Sequence, residues 1–412
     1  MPRAPARAKM RAMSSLSARL SLIFSSLGHS LTHLLMLLYP TVVLVLEREW
    51  HLPYGQLLTL AVVSQLLYGF GALPAGWLGD RWSATGMMVV FFLGSGIAAI
   101  LTGFAEGPLG LALGLGLIGL FASIYHPVGT AWMVRNAANR GKALGINGLF
   151  GSVGVGLAAI VAGALSDLFS WRAAFFVPGG LSLLIGAAML VAILSGALTE
   201  TKTDRAPQPE AGRAEIMRVF WVLSFTMFAT GLIYQTAVVA LPKLFAERLG
   251  QDLSTTSIGA LVSVVFGITA LAQVAGGHLA DRWPMRSLYA GGYLLLVPLT
   301  MLVMWTTGLP MLVIVTLALV VQVGSVPTEN ALLAHYTPPR WRATAYGAKF
   351  VLALGLSALA LPLVGSVEDQ SGNVALVFGV IAVLSALVGL AGLLLPAARA
   401  GLSPAPQPSG AD

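Results

Sequence analysis

Residues 76–82 read GWLGDRW and residues 277–283 read GHLADRW, so one pattern occurs twice in the chain, 201 residues apart. A second set of matches follows in the same order, 202 residues apart: Arg140, Ala143 and Gly145 with Arg342, Ala345 and Gly347. Self-similarity at a fixed offset indicates a duplicated structural unit. We therefore predict that the chain consists of two halves with the same architecture and the same orientation.

The composition around these repeats indicates a membrane protein. Of the 412 residues, 57% are apolar and only 9% are charged, and the mean hydropathy is +0.85. An ordinary soluble protein carries about 25% charged residues. So few charges exclude a globular cytosolic enzyme and a disordered chain. The chain has no cysteine, which excludes disulfides and thiolate metal sites.

Twelve apolar runs are long enough to cross a bilayer as helices. They cover residues 19–46, 54–79, 84–104, 109–134, 143–166, 172–196, 219–246, 256–280, 286–307, 310–335, 343–366 and 373–396. The predicted fold class is an all-α polytopic membrane protein with 12 transmembrane helices, arranged as two pseudo-symmetric six-helix bundles.

One long polar segment divides the twelve runs into six and six. Its Pro, Gly and charged residues are typical of a flexible linker. The predicted organisation is an N-terminal arm 1–18, a first bundle 19–196, a linker 197–217, a second bundle 218–396 and a tail 397–412.

The distribution of basic residues predicts the orientation. Eighteen of the 23 Lys and Arg residues fall on the side of the N-terminal arm, four fall on the opposite side, and Lys349 lies inside a span. Basic loops stay in the cytoplasm. We predict a multi-pass protein of the inner (plasma) membrane with both termini cytoplasmic.

Twelve spans, a central linker and the paired Gly-x-x-x-Asp-Arg loops resemble the major facilitator superfamily of transporters over residues 19–396. In that superfamily the loops latch helix ends across the two halves. The resemblance implies this conformational latch for two sets of residues: Gly76, Asp80 and Arg81, and Gly277, Asp281 and Arg282. The glycines are expected to let helices approach closely.

A smaller set of residues resembles the fosmidomycin-resistance group of drug exporters. The set comprises His33 with Tyr39-Pro40 in the first run and His126-Pro127 in the fourth. This resemblance implies export of a solute in exchange for protons.

Two charged residues stand out inside the apolar runs, where an ionisable group costs about 2.5 to 3.5 kcal/mol. Glu329 and Lys349 each lie about six residues from the cytoplasmic end of a predicted helix, and adjacent antiparallel helices would place them at one depth. We expect an ion pair. Its role stays open between fastening two helices and gating the cytoplasmic mouth when a proton or substrate breaks it.

His29 and His33 lie four residues apart and share one face of the first helix. Three roles are open: lining a cavity with proton coupling, packing, or binding a metal. We predict no metal site because no third ligand follows at a fixed spacing.

Further polar residues are expected near a central site between the halves. The repeat places Asn147 opposite Lys349 and His126 one residue from the counterpart of Glu329, so His126 with Asn147 would match Glu329 with Lys349 in depth. Weaker candidates for the cavity wall are Gln65, Tyr234 and Gln235, because amides also hold helices together. Gly148, Ser152 and Gly156 form a small-residue stripe, interpreted as a sliding or a static packing surface.

These residues predict a secondary active transporter that works by alternating access, with proton-coupled efflux of a small organic solute or drug as the leading function. The alternatives are proton-coupled uptake of a small organic anion, and a non-transporting sensor or lipid-handling protein. We find no ATP-binding or hydrolase motif. We therefore expect no enzyme activity, no cofactor, no metal and no nucleic-acid partner, and a monomer that binds a small molecule, protons and lipid.

Overall fold

The computed structural model describes residues 4–137, 139–199, 213–250, 252–336 and 348–395. Within these ranges, side chains are described except at residues 4–15, 140–141, 213–220, 281 and 334–336.

The described residues contain twelve helices that are long and apolar enough to cross a membrane. We number them spans 1 to 12: Leu16–Trp50, Tyr54–Arg81, Ala84–Gly103, Pro108–Asn136, Lys142–Leu168, Ala173–Leu194, Trp221–Arg248, Thr255–Ala280, Met285–Trp305, Gly308–Leu333, Ala348–Ser371 and Val374–Gly392. This confirms the predicted all-α fold with twelve spans. The first five residues of the eleventh predicted run, 343–347, lie outside the described residues. The exact bundle, linker and tail boundaries stay a prediction.

Several spans consist of more than one regular helix. The α-helices are Ala4–Leu37, Tyr39–Trp50, Tyr54–Thr59, Val62–Phe70, Ala72–Arg81, Ala84–Gly103, Pro108–Ala122, Thr130–Asn136, Arg140–Leu168, Ala173–Leu194, Arg213–Arg248, Thr255–Arg282, Met285–Trp305, Gly308–Tyr336, Ala360–Ser371 and Val377–Gly392. A π-helical turn, Tyr125–Gly129, interrupts span 4 at Pro127, because proline supplies no N–H to the helical ladder. Span 11 holds a π-helical turn, Val351–Gly355, followed by a 3₁₀ turn, Leu356–Leu359.

The same helix pairs form in both halves, as a duplicated unit requires. Spans 1 and 5, 2 and 4, and 3 and 6 pack together in the first half. The equivalent pairs 7 and 11, 8 and 10, and 9 and 12 pack in the second half. The halves meet through span 2 on span 11 and span 5 on span 8, and these two contacts are also equivalent under the repeat.

Glycines bring the two halves together at backbone distance. A Cβ added to Gly69 of span 2 would lie 2.1 Å from the Cα of Gly355 in span 11. A Cβ added to Gly259 of span 8 would lie 2.3 Å from the carbonyl oxygen of Ala159 in span 5. Helices in lipid have no hydrophobic drive to associate, so close packing of small residues supplies much of the attraction.

The interface between spans 5 and 8 is tight at one side of the membrane region and opens toward the other. Span 6 ends at Leu194 and span 7 begins at Trp221 on the same side of the membrane region. We call this side the linker side and the opposite side the far side. Gly163, near the far side, has no room for a Cβ, whereas a Cβ on Gly156 would lie 3.9 Å from the Ser263 carbonyl oxygen. Nearer the linker side, a Cβ on Gly148 or Gly267 would meet nothing within 4 Å. The predicted stripe through Gly148 is therefore not a packed surface along its full length.

Replacing Gly259 with alanine should lower the stability of the protein by about 1 to 3 kcal/mol, since the new methyl group must push the Ala159 backbone away. The measurement is the thermal melting of the purified protein. Gly180→Ala is the matched control, because a Cβ at this glycine in span 6 meets nothing within 4 Å. A Gly259→Ala variant that melts at the temperature of Gly180→Ala would contradict the close contact between the halves.

Candidate functional site

A buried ion pair joins spans 10 and 11, as predicted. Lys349 Nζ lies 2.5 Å from Glu329 Oε1. The other carboxylate oxygen, Oε2, accepts hydrogen bonds from the hydroxyls of Thr230 at 2.9 Å and Tyr289 at 3.2 Å. Glu329 is only 4% exposed. Both oxygens therefore have partners, which is the condition for keeping a carboxylate away from water.

The lysine has a second partner in addition to the carboxylate. Lys349 Nζ donates to Asn330 Oδ1 at 2.7 Å, and the next residue, Phe350, contacts the first half of the chain. The ion pair thus lies directly beside the contact between the halves. Adding a proton to Glu329 would remove its negative charge and leave the ammonium group of Lys349 without its counter-ion.

The first half carries an uncharged counterpart of this pair. Asn147 Nδ2 in span 5 donates to the hydroxyl of Tyr125 in span 4 at 2.8 Å and to the Ser25 hydroxyl at 3.1 Å. The expected correspondence in depth of His126 and Asn147 stays a prediction; the hydrogen-bond partner of Asn147 in span 4 is the preceding residue, Tyr125. Both Tyr125 and His126 lie in the π-helical turn of span 4.

His29, His33 and His126 form one cluster. Ring centroids lie 5.0 Å apart for His29 and His33, and 5.4 Å apart from each of these rings to His126. One nitrogen from each ring lies within 4.8 Å of the others, a grouping that could hold a metal ion. The sequence shows no third ligand at a fixed spacing from His29 and His33, whereas the structure places His126 beside them. The third histidine comes from another span, so no fixed sequence spacing reveals it.

The cluster touches the second half of the chain through His126. Its ring stacks on Phe350 of span 11 with a centroid distance of 5.1 Å and an interplanar angle of 23°. Tyr68 and Tyr125 flank the same histidine at 5.9 Å and 5.4 Å. The two polar groups predicted from the sequence, the histidines and the ion pair, are thus joined through the neighbouring residues Lys349 and Phe350.

The uncharged candidates lie along the same interface. Gln65 of span 2 is buried, and its Nε2 donates to the carbonyl oxygen of Leu354 in span 11 at 3.2 Å. Tyr234 is half-buried and Gln235 is buried, both about one turn after Gly231, where span 7 packs against the backbone of Ala353. Gln65 therefore contributes a direct hydrogen bond between the halves.

The proposed latch residues occupy the linker-side ends of spans 2 and 8. Arg135 Nη1 donates to Asp80 Oδ1 at 3.4 Å, which joins spans 2 and 4 of the same half. The guanidinium carbon of Arg81 lies 4.6 Å from the centroid of the Trp77 ring. Arg282 is exposed, and the side chain of Asp281 lies outside the described residues. A latch between the halves stays a prediction.

The two repeated glycines differ in their surroundings. A Cβ on Gly76 would lie 3.2 Å from Pro127 of span 4, which fits the expected close approach. A Cβ on Gly277 would meet nothing within 4 Å, so that expectation is wrong for the second copy. The preceding residue, Gly276, makes the contact instead, since its Cβ would collide with the carbonyl oxygen of Gly324 in span 10.

Charged residues also form a group on the far side, where the sequence analysis only counted the basic residues of loops. Lys243 Nζ of span 7 lies 2.9 Å from Glu47 Oε1 of span 1 and 3.6 Å from Glu368 Oε1 of span 11. The backbone N–H of Gly55 donates to Asp369 Oδ1 at 2.9 Å. Glu47 and Lys243 border a cavity of about 590 Å³. The contacts of Lys243 with Glu47 and of Gly55 with Asp369 join the two halves on the far side.

Two further far-side contacts cross between the halves at the start of span 8. Arg48 Nη2 donates to Thr255 Oγ1 at 2.9 Å. Asp167 Oδ2 accepts from the backbone N–H of Thr256 at 2.6 Å and from its hydroxyl at 2.7 Å. Asp167 of the first half thus caps a backbone N–H at the N-terminus of span 8, where a negative charge is favourable, and Arg48 binds the neighbouring Thr255 side chain.

The other residues missed by sequence analysis are partners of predicted ones. Thr230, Tyr289 and Tyr125 complete the two polar pairs, and Phe350 connects the pairs to the histidines. Their only sequence signal was the position of a hydroxyl or an aromatic ring within an apolar span. Such residues also occur as ordinary packing groups, so the signal does not separate the two roles.

Comparison with known proteins shows which family and which relatives the chain resembles. A family model described as Major Facilitator Superfamily matches residues 20–349 and also 223–411. The probable sulfoacetate transporter SauU of Cupriavidus necator is 27% identical over 54% of this chain and 55% of the relative. The nitrite extrusion protein of Bacillus subtilis is 21% identical over 58% of this chain and 59% of the relative. The chain thus matches between half and three-fifths of the length of these curated relatives.

Solved structures show the same fold. The crystal structure of a bacterial homolog of the human lysosomal transporter Spinster, inward-facing and unoccupied, has a TM-score of 0.71 to this chain at 16% sequence identity. The match covers 92% of this chain and 93% of the other. The narrower resemblance to fosmidomycin-resistance exporters stays a prediction. From the family model and the fold, the chain belongs to the major facilitator superfamily, a family of membrane transporters and not of enzymes.

Proposed function

We propose that the chain is a secondary transporter that moves a small organic anion together with protons by alternating access between its two halves. The observation that carries the proposal is the buried ion pair between Glu329 and Lys349, beside the contact between the halves. Transporters of this architecture bind substrate and coupling ion near the interface of their repeats. Ionisable residues within spans mark ion and proton paths by default.

The charges of the pair favour coupling of a proton to an anion. When Glu329 is ionised, its negative charge offsets the positive charge of Lys349. An anionic solute then gains little binding energy from the lysine. When Glu329 takes up a proton, the ammonium group of Lys349 becomes available to an anion. Proton and anion then bind together, and their loading shifts the balance between the two conformations if these bind the proton with different affinity.

The similarity to a probable sulfoacetate transporter and a nitrite extrusion protein supports an anionic substrate. Sulfoacetate and nitrite are small anions, and a free lysine ammonium in a span would attract such a solute. The likeness to an extrusion protein favours a second candidate, export in exchange for protons, which is the leading function expected from the sequence.

The direction of proton movement separates the candidates. The protein is reconstituted in liposomes that contain a pH dye, and sulfoacetate, nitrite or methylphosphonate is added to the outside. Cotransport predicts acidification of the lumen with solute entry, and exchange predicts alkalinisation. A membrane sensor or a lipid-handling protein predicts no solute-dependent proton movement with any of the three anions, and this result would refute transport of this class of solute.

Glu329→Gln should abolish solute-driven proton movement and leave proton-independent exchange of labelled solute across the membrane. The amide keeps the shape of the side chain and can still accept from Thr230 and Tyr289, but it cannot carry a proton. Glu106→Gln, in the exposed loop between spans 3 and 4, is the matched control. Equal dye signals from the two variants would remove Glu329 from the proton path.

Exchanging the two charges should recover stability that either single change loses. Glu329→Lys and Lys349→Glu each bury a like-charge pair, and breaking a buried ion pair costs about 3 to 5 kcal/mol. In the double variant the opposite charges meet again, so its melting temperature in detergent should lie above that of both single variants. A double variant less stable than either single variant would show that the pair makes no net attraction.

A further inference from the structure

We propose that His29, His33 and His126 form a binding site for one divalent ion of a late transition metal, with Zn²⁺ as the reference ion. A coordinating nitrogen from each ring lies within 4.8 Å of the other two. The three ring centroids form a nearly regular triangle with sides of 5.0, 5.4 and 5.4 Å. This inference goes beyond the transport function proposed above and does not rest on it.

The ring of His29 is oriented as in a metal-binding histidine. Its Nδ1 lies 2.8 Å from the backbone carbonyl oxygen of Asn147 and donates to it, since a carbonyl can only accept. That hydrogen bond fixes the tautomer and leaves the lone pair of Nε2 free for a ligand. Metal-binding histidines almost always make such a bond with the nitrogen that does not touch the metal.

His126 supplies an independent observation that points to a missing ligand. Its Nε2 is buried and has no hydrogen-bond partner among the described residues. Most buried polar atoms in proteins have a hydrogen-bond partner, and a bound metal ion would give this nitrogen one. A metal ion at the centre of the triangle would satisfy this nitrogen together with those of His29 and His33.

The surrounding helices hold the three rings in place. A Cβ on Gly151 of span 5 would lie 2.5 Å from the ring of His29, so only glycine leaves room for this ring. His126 lies in the π-helical turn of span 4 and is packed between Tyr125 and Phe350. Zinc–nitrogen bonds of about 2.0 to 2.1 Å imply nitrogens about 3.4 Å apart in a tetrahedral site, so binding draws the rings inward by roughly 1 Å.

The ligand set predicts which ions bind. Imidazole suits Zn²⁺, Cu²⁺, Ni²⁺ and Co²⁺, whereas Mg²⁺ and Ca²⁺ require oxygen ligands. Three protein ligands also leave the fourth position of a tetrahedral site open to water or to a small anion. Because His126 stacks on Phe350, an ion on this histidine is bound next to the contact between the halves.

The test uses the full chain purified with a tag that contains no histidine, and it measures Zn²⁺ binding by calorimetry. We expect one Zn²⁺ per chain and at least a tenfold loss of affinity in His33→Ala and His126→Ala. His278→Ala is the matched control, because this exposed histidine at the linker-side end of span 8 lies outside the cluster. Absence of one-to-one binding to the wild-type protein, or an equal loss in His278→Ala, would overturn the proposal.

A cysteine at position 126 distinguishes ligation from a merely structural role. The chain has no natural cysteine, so His126→Cys introduces the only thiol. Thiolate is a good ligand for Co²⁺ and Zn²⁺. Adding Co²⁺ should therefore give a sulfur-to-cobalt charge-transfer band in the near ultraviolet, which the wild-type protein lacks. A His126→Cys protein that folds as judged by gel filtration and shows no such band would refute ligation by this position.

Discussion

A charged side chain in the hydrocarbon layer must have every polar atom paired, and this constraint shapes the second half of the molecule. Glu329 has two oxygens, one on Lys349 and the other on Thr230 and Tyr289. Four spans therefore converge on one carboxylate: spans 7, 9, 10 and 11. A substitution that removes the charge of Glu329 therefore alters contacts of all four spans.

The same region joins the halves. Phe350 follows Lys349 and stacks on His126, and Gly355 lies against Gly69 one to two turns further along span 11. On the far side the halves are fastened by salt bridges and capping contacts, while the interface of spans 5 and 8 opens toward the linker side. Glycine contacts carry no directional bond, so the polar far-side contacts supply directional bonds between the halves.

Hydropathy and the internal repeat were sufficient to predict twelve spans and two equivalent halves, because both depend on patterns longer than any single contact. The ion pair was also predictable, because a charged side chain within an apolar span needs an opposite charge and few are available there. The histidine cluster was not, since His126 comes from another span and joins His29 and His33 only through the packing of spans 1 and 4. The far-side salt bridges were missed because Glu47, Lys243 and Glu368 sit at span ends, where charges usually face water.

The central claim is that the charge state of Glu329 biases the balance between the two arrangements of the halves. Spin labels on cysteines introduced at Glu49 and Asp252 report the far side, and labels at Leu144 and Gln273 report the linker side, in a chain with no other cysteine. Pulsed electron paramagnetic resonance gives both distance distributions. We expect Glu329→Gln to lengthen the far-side distances and to shorten the linker-side distances. Unchanged distributions for both pairs would contradict it.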